Sequence, residues 1–127
     1  MAEEQNLPRA GTILFTDLTV ERAEETRDFY KQVIGWEHSD VKMGDYADYE
    51  MKSLDGQSVA GICHQAGVNK GLPPVWLVYF SVHDLEASLT ACRKLGGIVH
   101  VEPKTVRPGS YAVIEYPEGA FCALSQL

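Results

Sequence analysis

The sequence predicts an α+β fold in which one chain carries two β-α-β-β-β modules. A helix with one apolar face ends at Gly35 and leads into a strand that begins with Trp36. A weaker copy of this helix-to-strand junction lies about half a chain later, around Gly96 and Gly97. Short apolar segments separated by glycine and proline turns follow each junction. With 127 residues, the chain has the size of one ordinary domain.

The internal repeat can be traced residue by residue. At a spacing of 62 positions, apolar residues align with apolar residues and helix-ending glycines with each other: Phe15 with Leu77, Leu18 with Phe80, Val20 with Val82, Val33 with Leu95 and Gly35 with Gly97. Toward the module ends the spacing becomes 63, which aligns Gly56 with Gly119. Such a repeat outweighs local patterns as evidence for a fold, and modules this small must pack together to bury their sheets.

In the first half, residues 12–20 have the pattern of a strand and residues 22–34 that of a helix. The apolar stripe of this helix consists of Ala23, Thr26, Phe29 or Tyr30, Val33 and Ile34. Gly35 follows the helix at a position where a left-handed backbone is common. Residues 36–42, 46–53 and 58–65 are strand candidates, and Asp55-Gly56 predicts a hairpin turn.

The second half repeats this order. Residues 75–82 predict a strand, and Asp84 is a suitable N-cap for a second helix. The apolar stripe of that helix consists of Leu85, Ser88, Leu89, Cys92 and Leu95. Residues 98–102, 111–116 and 120–127 predict the remaining strands. We expect a flexible arm at residues 1–10 and a single domain at 11–127, with the first module at about 11–66, a linker at 67–74 and the second module at about 75–127.

Composition excludes several classes of function. The net charge is −7 and the cationic residues are scattered, which argues against a nucleic-acid partner. No apolar run is long enough to span a membrane, and residues 1–10 lack a secretory signal. Cys63, Cys92 and Cys122 show no paired spacing and are interpreted as buried, reduced thiols. We therefore expect a cytoplasmic protein.

A set of short motifs recurs in a fixed order along the chain. The motifs are Leu18-x-Val20, Phe29-Tyr30, Val33-x-Gly35-Trp36, Phe80-x-Val82-x-Asp84-Leu85-Glu86-Ala87, Leu95-Gly96-Gly97 and Tyr116-Pro117-Glu118-Gly119. Over about residues 11–127, their order and spacing resemble the vicinal oxygen chelate superfamily, which includes glyoxalase I, extradiol dioxygenases and bleomycin-resistance proteins. The resemblance implies an eight-stranded, cup-shaped open barrel with helices outside. It also implies a cup that, in metal-binding members, holds a metal through four residues.

Carried over to this sequence, the four metal positions fall on Phe15, Ala60 (or Gly61, with a slip of one residue), Leu77 and Ala123. None of these side chains can coordinate a divalent cation. The resemblance is therefore to a branch without the metal ligands, and we expect no metal and no cofactor. Strand alternation from these positions predicts the lining of the cup. The predicted lining residues are Phe15, Asp17, Thr19, Ala60, Ile62, His64, Leu77, Tyr79, Ser81, Phe121 and Ala123.

Two residues of this lining are candidates for proton transfer. Asp17, beside Phe15 and across from Leu77 in the predicted cup, could act as a base, and His64 is the second candidate. For Asp17, a hydrogen bond to a backbone turn or a neighbouring hydroxyl is the structural alternative. A non-standard metal site of His64, His83 and Glu115 is a further alternative. His38 and His100 are expected to be exposed. Four aromatic residues could stack on a planar ligand or belong to the core: Trp36, Trp76, Tyr79 and Tyr111.

These observations favour a protein that binds a small apolar or aromatic molecule in the cup without a metal, similar to the bleomycin-resistance branch. The first alternative is a lyase or isomerase that uses Asp17 or His64. The second is a regulatory or interaction module. Whether the protein is an enzyme stays open at this point. A homodimer is an expected option, since members of this family often pair.

Overall fold

The computed structural model of the protein describes residues 9–127. The chain divides into two compact units, which we call the first module (residues 15–76) and the second module (residues 77–127 together with residues 9–14). Most of the expected N-terminal arm lies outside the described residues. Within the second module, residues 9–12 lie beside β5, where Gly11 donates a backbone hydrogen bond to Ser81 and Ser81 donates one to Thr12.

The observed elements follow the predicted order. They are β1 (Ile13–Val20), α1 (Ala23–Ile34), β2 (Glu37–Lys42), β3 (Ala47–Lys52), β4 (Ser58–His64), a short 3-10 helix (Gly67–Asn69), β5 (Trp76–Val82), α2 (Leu85–Lys94), β6 (Ile98–Val101), β7 (Tyr111–Glu115) and β8 (Phe121–Gln126). The α+β class, with two β-α-β-β-β modules and eight strands, is confirmed. Each predicted strand agrees with the observed one to within one residue at either end, because the turn and cap residues that bound it act locally.

The first module has strand order β2-β3-β4-β1. The strands β2, β3 and β4 pair antiparallel, whereas β1 pairs with β4 in parallel. Helix α1 covers one face of this sheet. The core beneath it consists of Ala23, Tyr49, Met51, Ala60 and Ile62, with Val20, Tyr30, Trp36, Ala47 and Trp76 packed against it. Burial of these side chains is the main stabilising contribution of the module.

The second module repeats this arrangement with strand order β5-β8-β7-β6. Here β5 and β8 are parallel, and β8, β7 and β6 are antiparallel. The core under α2 consists of Leu85, Leu89 and Ala112, packed against Val82, Val99, Val106, Ile114 and Leu124. In each module we call the covered side the helix face and the other side the helix-free face.

The two helices end and begin as the sequence indicates. Gly35 has φ = 92° and donates its backbone N–H to the carbonyl of Lys31, which closes α1 in the left-handed conformation that glycine tolerates. The Asp84 side chain accepts a hydrogen bond of 3.0 Å from the Ala87 N–H and caps α2. No helix of the described residues is long and apolar enough to cross a membrane.

The predicted helix stripes are wrong at several positions. In α1 only Ala23 is fully buried, and of the alternatives Phe29 and Tyr30 it is Tyr30 that packs against the core. Val33 and Ile34 are more than half exposed. Leu95, assigned to the stripe of the second helix, lies beyond its last turn and is 79% exposed. The periodic apolar pattern is therefore wider than the surface that each helix buries. Extra apolar side chains on a helix flank remain in solvent, as is common on protein surfaces.

Candidate functional site

In the second module, the helix-free face is rich in aromatic side chains. Strand register places Tyr79 beside Ala123, and Val113 on the other side of Ala123. All these residues alternate with residues of the helix-face core, such as Ala112, Ile114 and Leu124. The predicted residues Leu77, Tyr79, Ser81, Phe121 and Ala123 thus share one face of this module. Tyr111, which pairs with Ser125 in the register, belongs to the same face.

The accessibility of these residues differs. Leu77, Val113 and Ala123 are buried, whereas Tyr79, Tyr111 and Phe121 are half-buried. The rings of Tyr79 and Tyr111 have centroids 5.9 Å apart at an angle of 55°. These two rings, predicted as either stacking or core residues, therefore pair on the face that carries the candidate ligand-binding residues. Half-buried tyrosines offer both an apolar surface and a hydroxyl to a ligand.

Ser81 is closed off within the second module. It is fully buried, and its hydroxyl contacts the backbone N–H of Thr12 at 3.1 Å. The same hydroxyl donates a hydrogen bond to the carbonyl of Arg9. Residues 9–12 thus occupy the hydrogen-bonding capacity of Ser81, which makes this residue an anchor for the incoming chain.

A histidine that the sequence reasoning expected to be exposed is part of this face. The ring of His100 is stacked on that of Phe121, with centroids 4.9 Å apart and an angle of 25°. His100 Nε2 lies 2.7 Å from Glu115 Oε1. The His100 and Glu115 side chains are only 34% and 24% exposed. The expectation of an exposed His100 is confirmed, and its contacts with Phe121 and Glu115 nevertheless fix the position of the ring. The register between β6 and β7 shifts at this residue: Val99 pairs with Ile114, but Val101 pairs with Val113.

In the first module, the register corrects the predicted parity of β4. Asp17 pairs with Gly61, and Leu18 pairs with Ile62. Ala60 and Ile62 are 1% and 0% exposed and belong to the core under α1. These two residues were expected in the ligand cup and instead lie on the helix face. The slip of one residue, to Gly61, is the alternative that the structure supports.

His64 is also displaced from the predicted lining. It pairs with Val20 in the register, and its ring lies near those of Tyr46 and Tyr49, at 5.4 and 6.0 Å between centroids. Its backbone N–H donates a hydrogen bond of 2.9 Å to Asp48, whose Oδ1 atom is also 3.4 Å from His64 Nδ1. Together with Ala23 and the acidic first turn of α1, His64 lines a shallow hollow at the helix N-terminus. The register thus separates His64 from Asp17, the other catalytic candidate.

The helix-free face of the first module carries Phe15, Asp17 and Thr19 on β1. An ideal Cβ at Gly61 would lie 3.1 Å from Asp17 Cβ and 3.5 Å from the ring of Phe15, so these three residues are in close contact. Thr19 is buried and pairs with Cys63. One carboxylate oxygen of Asp17, Oδ1, is fully buried. Gly61 was expected here only as the alternative to Ala60, and Cys63 was not expected in the candidate site, although glycine inside a strand can mark a close approach.

Cys63 is held in its thiol form. Burial raises its pKa to about 12, and the nearby carboxylates of Asp17 and Asp48 act in the same direction. A thiolate is the nucleophilic and metal-binding form of cysteine, so this environment makes Cys63 a poor nucleophile. All three cysteines are free, as expected, and half-buried. Burial also raises the pKa of Cys122.

The residues at the four family metal positions do not fit a divalent cation. These positions are held by Phe15, Gly61, Leu77 and Ala123, which offer no nitrogen, oxygen or sulfur side-chain ligand. Among residues 9–127, no group of three or more histidine, cysteine, aspartate or glutamate side chains is arranged to hold a metal. The alternative set of His64, His83 and Glu115 is included in that statement. Glu115 is instead engaged with His100.

The two tryptophans pack against the core of the first module. The indole N–H of Trp76 donates a hydrogen bond of 3.2 Å to the hydroxyl of Tyr30, and Trp36 packs against both rings in the core of the first module. For the tryptophans, the core interpretation is therefore correct.

In the second module, a cavity of about 180 Å³ lies between the end of α2 and β7. It is lined by Cys92, Leu95, Gly97, Ile114, Glu115, Tyr116 and Pro117.

Comparison with known proteins decides the family. The model of the Glyoxalase/Bleomycin resistance protein/Dioxygenase superfamily matches residues 12–121. The chain belongs to this superfamily. The resemblance of the sequence motifs is thereby confirmed over nearly all of the described chain.

Individual relatives differ in their names. CFP32 of Mycobacterium tuberculosis, provisionally named a glyoxylase, is 30% identical over 111 residues, which cover 87% of this chain and 42% of that protein. The anthracycline biosynthesis protein DnrV of Streptomyces peucetius is 29% identical, covering 99% of this chain and 44% of that protein. The chain thus spans less than half the length of these relatives. A methylmalonyl-CoA epimerase of Streptomyces coelicolor shares the fold, with a TM-score of 0.55 and 16% identity over 93% of this chain and 98% of that chain.

Proposed function

We propose that this member of the superfamily binds a small aromatic molecule without the help of a metal ion. The observation that carries this proposal is the helix-free face of the second module. There Tyr79, Tyr111 and Phe121 present half-buried rings on the face that carries the small side chain of Ala123, and the exposed ring of His100 is stacked on Phe121. Ligand sites are commonly lined by aromatic and apolar side chains with a few polar groups, and this face has that composition.

The residue types at the family metal positions support the metal-independent part of the proposal. A metal site needs several nitrogen, oxygen or sulfur donors that converge on one point. Ala123 offers a methyl group beside Tyr79, and Gly61 offers no side chain where Phe15 and Asp17 approach it. An aromatic ligand can use the apolar surface that the small side chain of Ala123 leaves beside Tyr79.

The name of one relative agrees with an aromatic ligand. DnrV is named for anthracycline biosynthesis, and an anthracycline is a polycyclic aromatic compound. CFP32 carries a glyoxylase name, which names no aromatic compound. We infer the ligand class from the ring-lined face and use the first name only as support.

Thermal melting in the presence of a panel of small aromatic compounds tests the proposal. A compound that binds the native state raises the melting temperature, and the rise grows with its concentration. We expect Tyr79→Leu to reduce this rise, because the substitution removes a ring from the proposed site. Tyr116→Leu is the matched control, since Tyr116 is a tyrosine of the same module that is 59% exposed outside this face.

Metal analysis completes the test. The protein is incubated with divalent cations, dialysed and analysed for bound metal, and the melting experiment is repeated with a chelator. We expect no stoichiometric metal and an unchanged ligand effect. Stoichiometric metal held by the protein, or a ligand effect abolished by the chelator, would contradict metal-independent binding. Absence of any stabilising compound would favour a regulatory or interaction module.

An enzyme is the second candidate, and the burial of Asp17 favours it. Asp17 Oδ1 is fully buried, on the same face of the first module as Phe15. A carboxylate in such a setting can serve as a general base in a lyase or isomerase. Asp17→Asn should then abolish turnover while the melting temperature changes little. Unchanged turnover in this variant would exclude Asp17 as the base.

A further inference from the structure

The pair of His100 and Glu115 is the feature of the second module that simple apolar binding leaves without a role. Most ion pairs on protein surfaces are exposed and contribute little. This pair differs, because both side chains are about one-third exposed or less and the two atoms lie only 2.7 Å apart. Its imidazole is backed by the ring of Phe121 in a stacked arrangement. The pair thus has a fixed orientation on the face that we propose to bind a ligand.

A local irregularity of the sheet lies at His100. Between β6 and β7 the register shifts, so that His100 is the extra residue between the pairs Val99–Ile114 and Val101–Val113. Bulges of this kind redirect side chains and are frequent near functional sites. Alternation from the pair Ile98–Glu115 puts His100 on the face of Glu115 and Phe121, which are cross-strand partners of each other on β7 and β8.

The contact with Glu115 determines which nitrogen of His100 can accept a proton. A carboxylate accepts hydrogen bonds, so the neutral imidazole donates its Nε2–H to Glu115 Oε1. The lone pair of the ring is then on Nδ1. With its tautomer set in this way, His100 is an acceptor for a hydrogen-bond donor of a ligand.

We propose that His100 and Glu115 form a proton-accepting site for a planar ligand that carries an acidic hydroxyl group, such as a phenol. This inference rests on the proposed function, because it names the class of aromatic ligand that the same face takes. In the bound state the O–H bond of the ligand breaks and an N–H bond forms at His100 Nδ1. The product is a phenolate beside an imidazolium, and Glu115 keeps its negative charge. His100 is the proton acceptor and Glu115 is a positioning residue.

The experiment compares two probes that differ in one proton. Para-nitrophenol carries the acidic hydroxyl, whereas para-nitroanisole has a methyl ether in its place. Each is titrated into the intact protein, at a pH at which free para-nitrophenol is colourless. We expect para-nitrophenol to bind about tenfold tighter, the difference that one good hydrogen bond makes. We also expect the yellow absorbance of the phenolate to develop on binding.

Variants separate the roles of the two residues. His100→Gln can still donate to Glu115 but has no basic nitrogen, so the ratio of the two affinities should fall from about ten to about one and the yellow absorbance should be lost. Glu115→Gln should weaken the absorbance and reduce this ratio, whereas a merely structural role of Glu115 would change the affinities for both probes equally. His38→Gln is the matched control, because His38 is paired with Asp40 in the first module. Circular dichroism verifies that each variant is folded.

The outcomes distinguish this inference from the proposed function. Equal binding of the two probes, with para-nitrophenol remaining colourless, overturns the proton-accepting site but leaves aromatic binding intact. Failure of both probes to bind overturns both proposals. A yellow complex that persists in folded His100→Gln also overturns the assignment, because another group must then accept the proton.

Discussion

Gly61 and Asp17 lie directly opposite each other in the neighbouring parallel strands β4 and β1, and a Cβ at Gly61 would lie 3.1 Å from Asp17 Cβ. Such a distance is shorter than ordinary contacts between carbon atoms. Glycine is therefore the residue that allows these two strands to approach while Asp17 and Phe15 occupy the same face. Gly61 stands where the family resemblance expects a metal ligand, and the side chains of Asp17 and Phe15 occupy the space beside it.

We predict that Gly61→Ala destabilises the protein by about 1 kcal/mol or more, as overpacking of an interior does. Alanine ordinarily stabilises a strand relative to glycine, because it loses less backbone entropy on folding. Here the new methyl group meets a Cβ that is fixed to the β1 backbone and cannot move aside. Chemical denaturation of the two proteins measures the difference. A Gly61→Ala variant more stable than the original would show that β1 can retreat.

A pair of substitutions tests which residues of β4 lie on the helix face of the first module. We predict that Ile62→Ala costs about 2–5 kcal/mol, because Ile62 is fully buried under α1 and its truncation leaves a cavity. Val59→Ala should cost much less, since Val59 is 36% exposed. Equilibrium unfolding in urea gives both values. Equal costs for the two variants would argue against the register and for the original assignment of Ile62 to the ligand cup.

The sequence was sufficient to predict the elements because their boundaries depend on local chemistry. Gly35 ends α1 through its left-handed backbone, and Asp84 starts α2 through its side-chain cap. Both effects act within one turn of a helix, so they can be recognised without knowledge of the tertiary structure. The internal repeat then fixed the order of the two modules.

Residue-level predictions failed where a strand carries an extra residue. The register of β3 and β4 pairs Met51 with Ala60 but Lys52 with Ser58, so Val59 is inserted between them. A count of positions from the turn at Gly56 therefore ends one residue early, at Ala60 instead of Gly61. Since a shift of one residue exchanges the two faces of a strand, a single bulge misplaced every candidate on β4.

His100 was missed because its contacts are with the cross-strand neighbours Glu115 and Phe121, which are far away in the sequence. No local pattern reports that such residues meet. The five residues predicted for the second module, in contrast, lie on one face because β5 and β8 alternate without interruption.

The buried thiol of Cys63 predicts a specific dependence of stability on pH. Burial raises its pKa from 9.0 to about 12, so the native state keeps the proton at pH values where the unfolded state has lost it. The contribution is fully present below about pH 9 and is lost as the pH rises toward 12. We therefore expect the free energy of unfolding to fall less steeply in this range for Cys63→Ala. Superimposable pH profiles of the two proteins would contradict this assignment.

Alkylation gives an independent measurement of the same environment. Since only the thiolate attacks iodoacetamide, Cys63 should stay unmodified at mildly alkaline pH in the native protein. It should react at an ordinary rate once denaturant is added. Mass spectrometry of the peptide that contains Cys63 follows both reactions. Rapid alkylation of native Cys63 would mean that the thiol is ionised or open to solvent.

The cap of α2 offers the last prediction. The Asp84 carboxylate accepts the Ala87 N–H, which would otherwise lack a partner within the helix. Asp84→Ala should lower the free energy of unfolding by about 1 kcal/mol, whereas Asp84→Asn should be nearly neutral, because asparagine is an equally good N-cap. Arg22→Ala is the matched control, since Arg22 occupies the corresponding position of α1 without a side-chain cap. Thermal or urea unfolding measures the free energy of unfolding of the three variants. If Asp84→Asn lowers this free energy as much as Asp84→Ala does, the charge at the helix N-terminus, and not the hydrogen bond, stabilises α2.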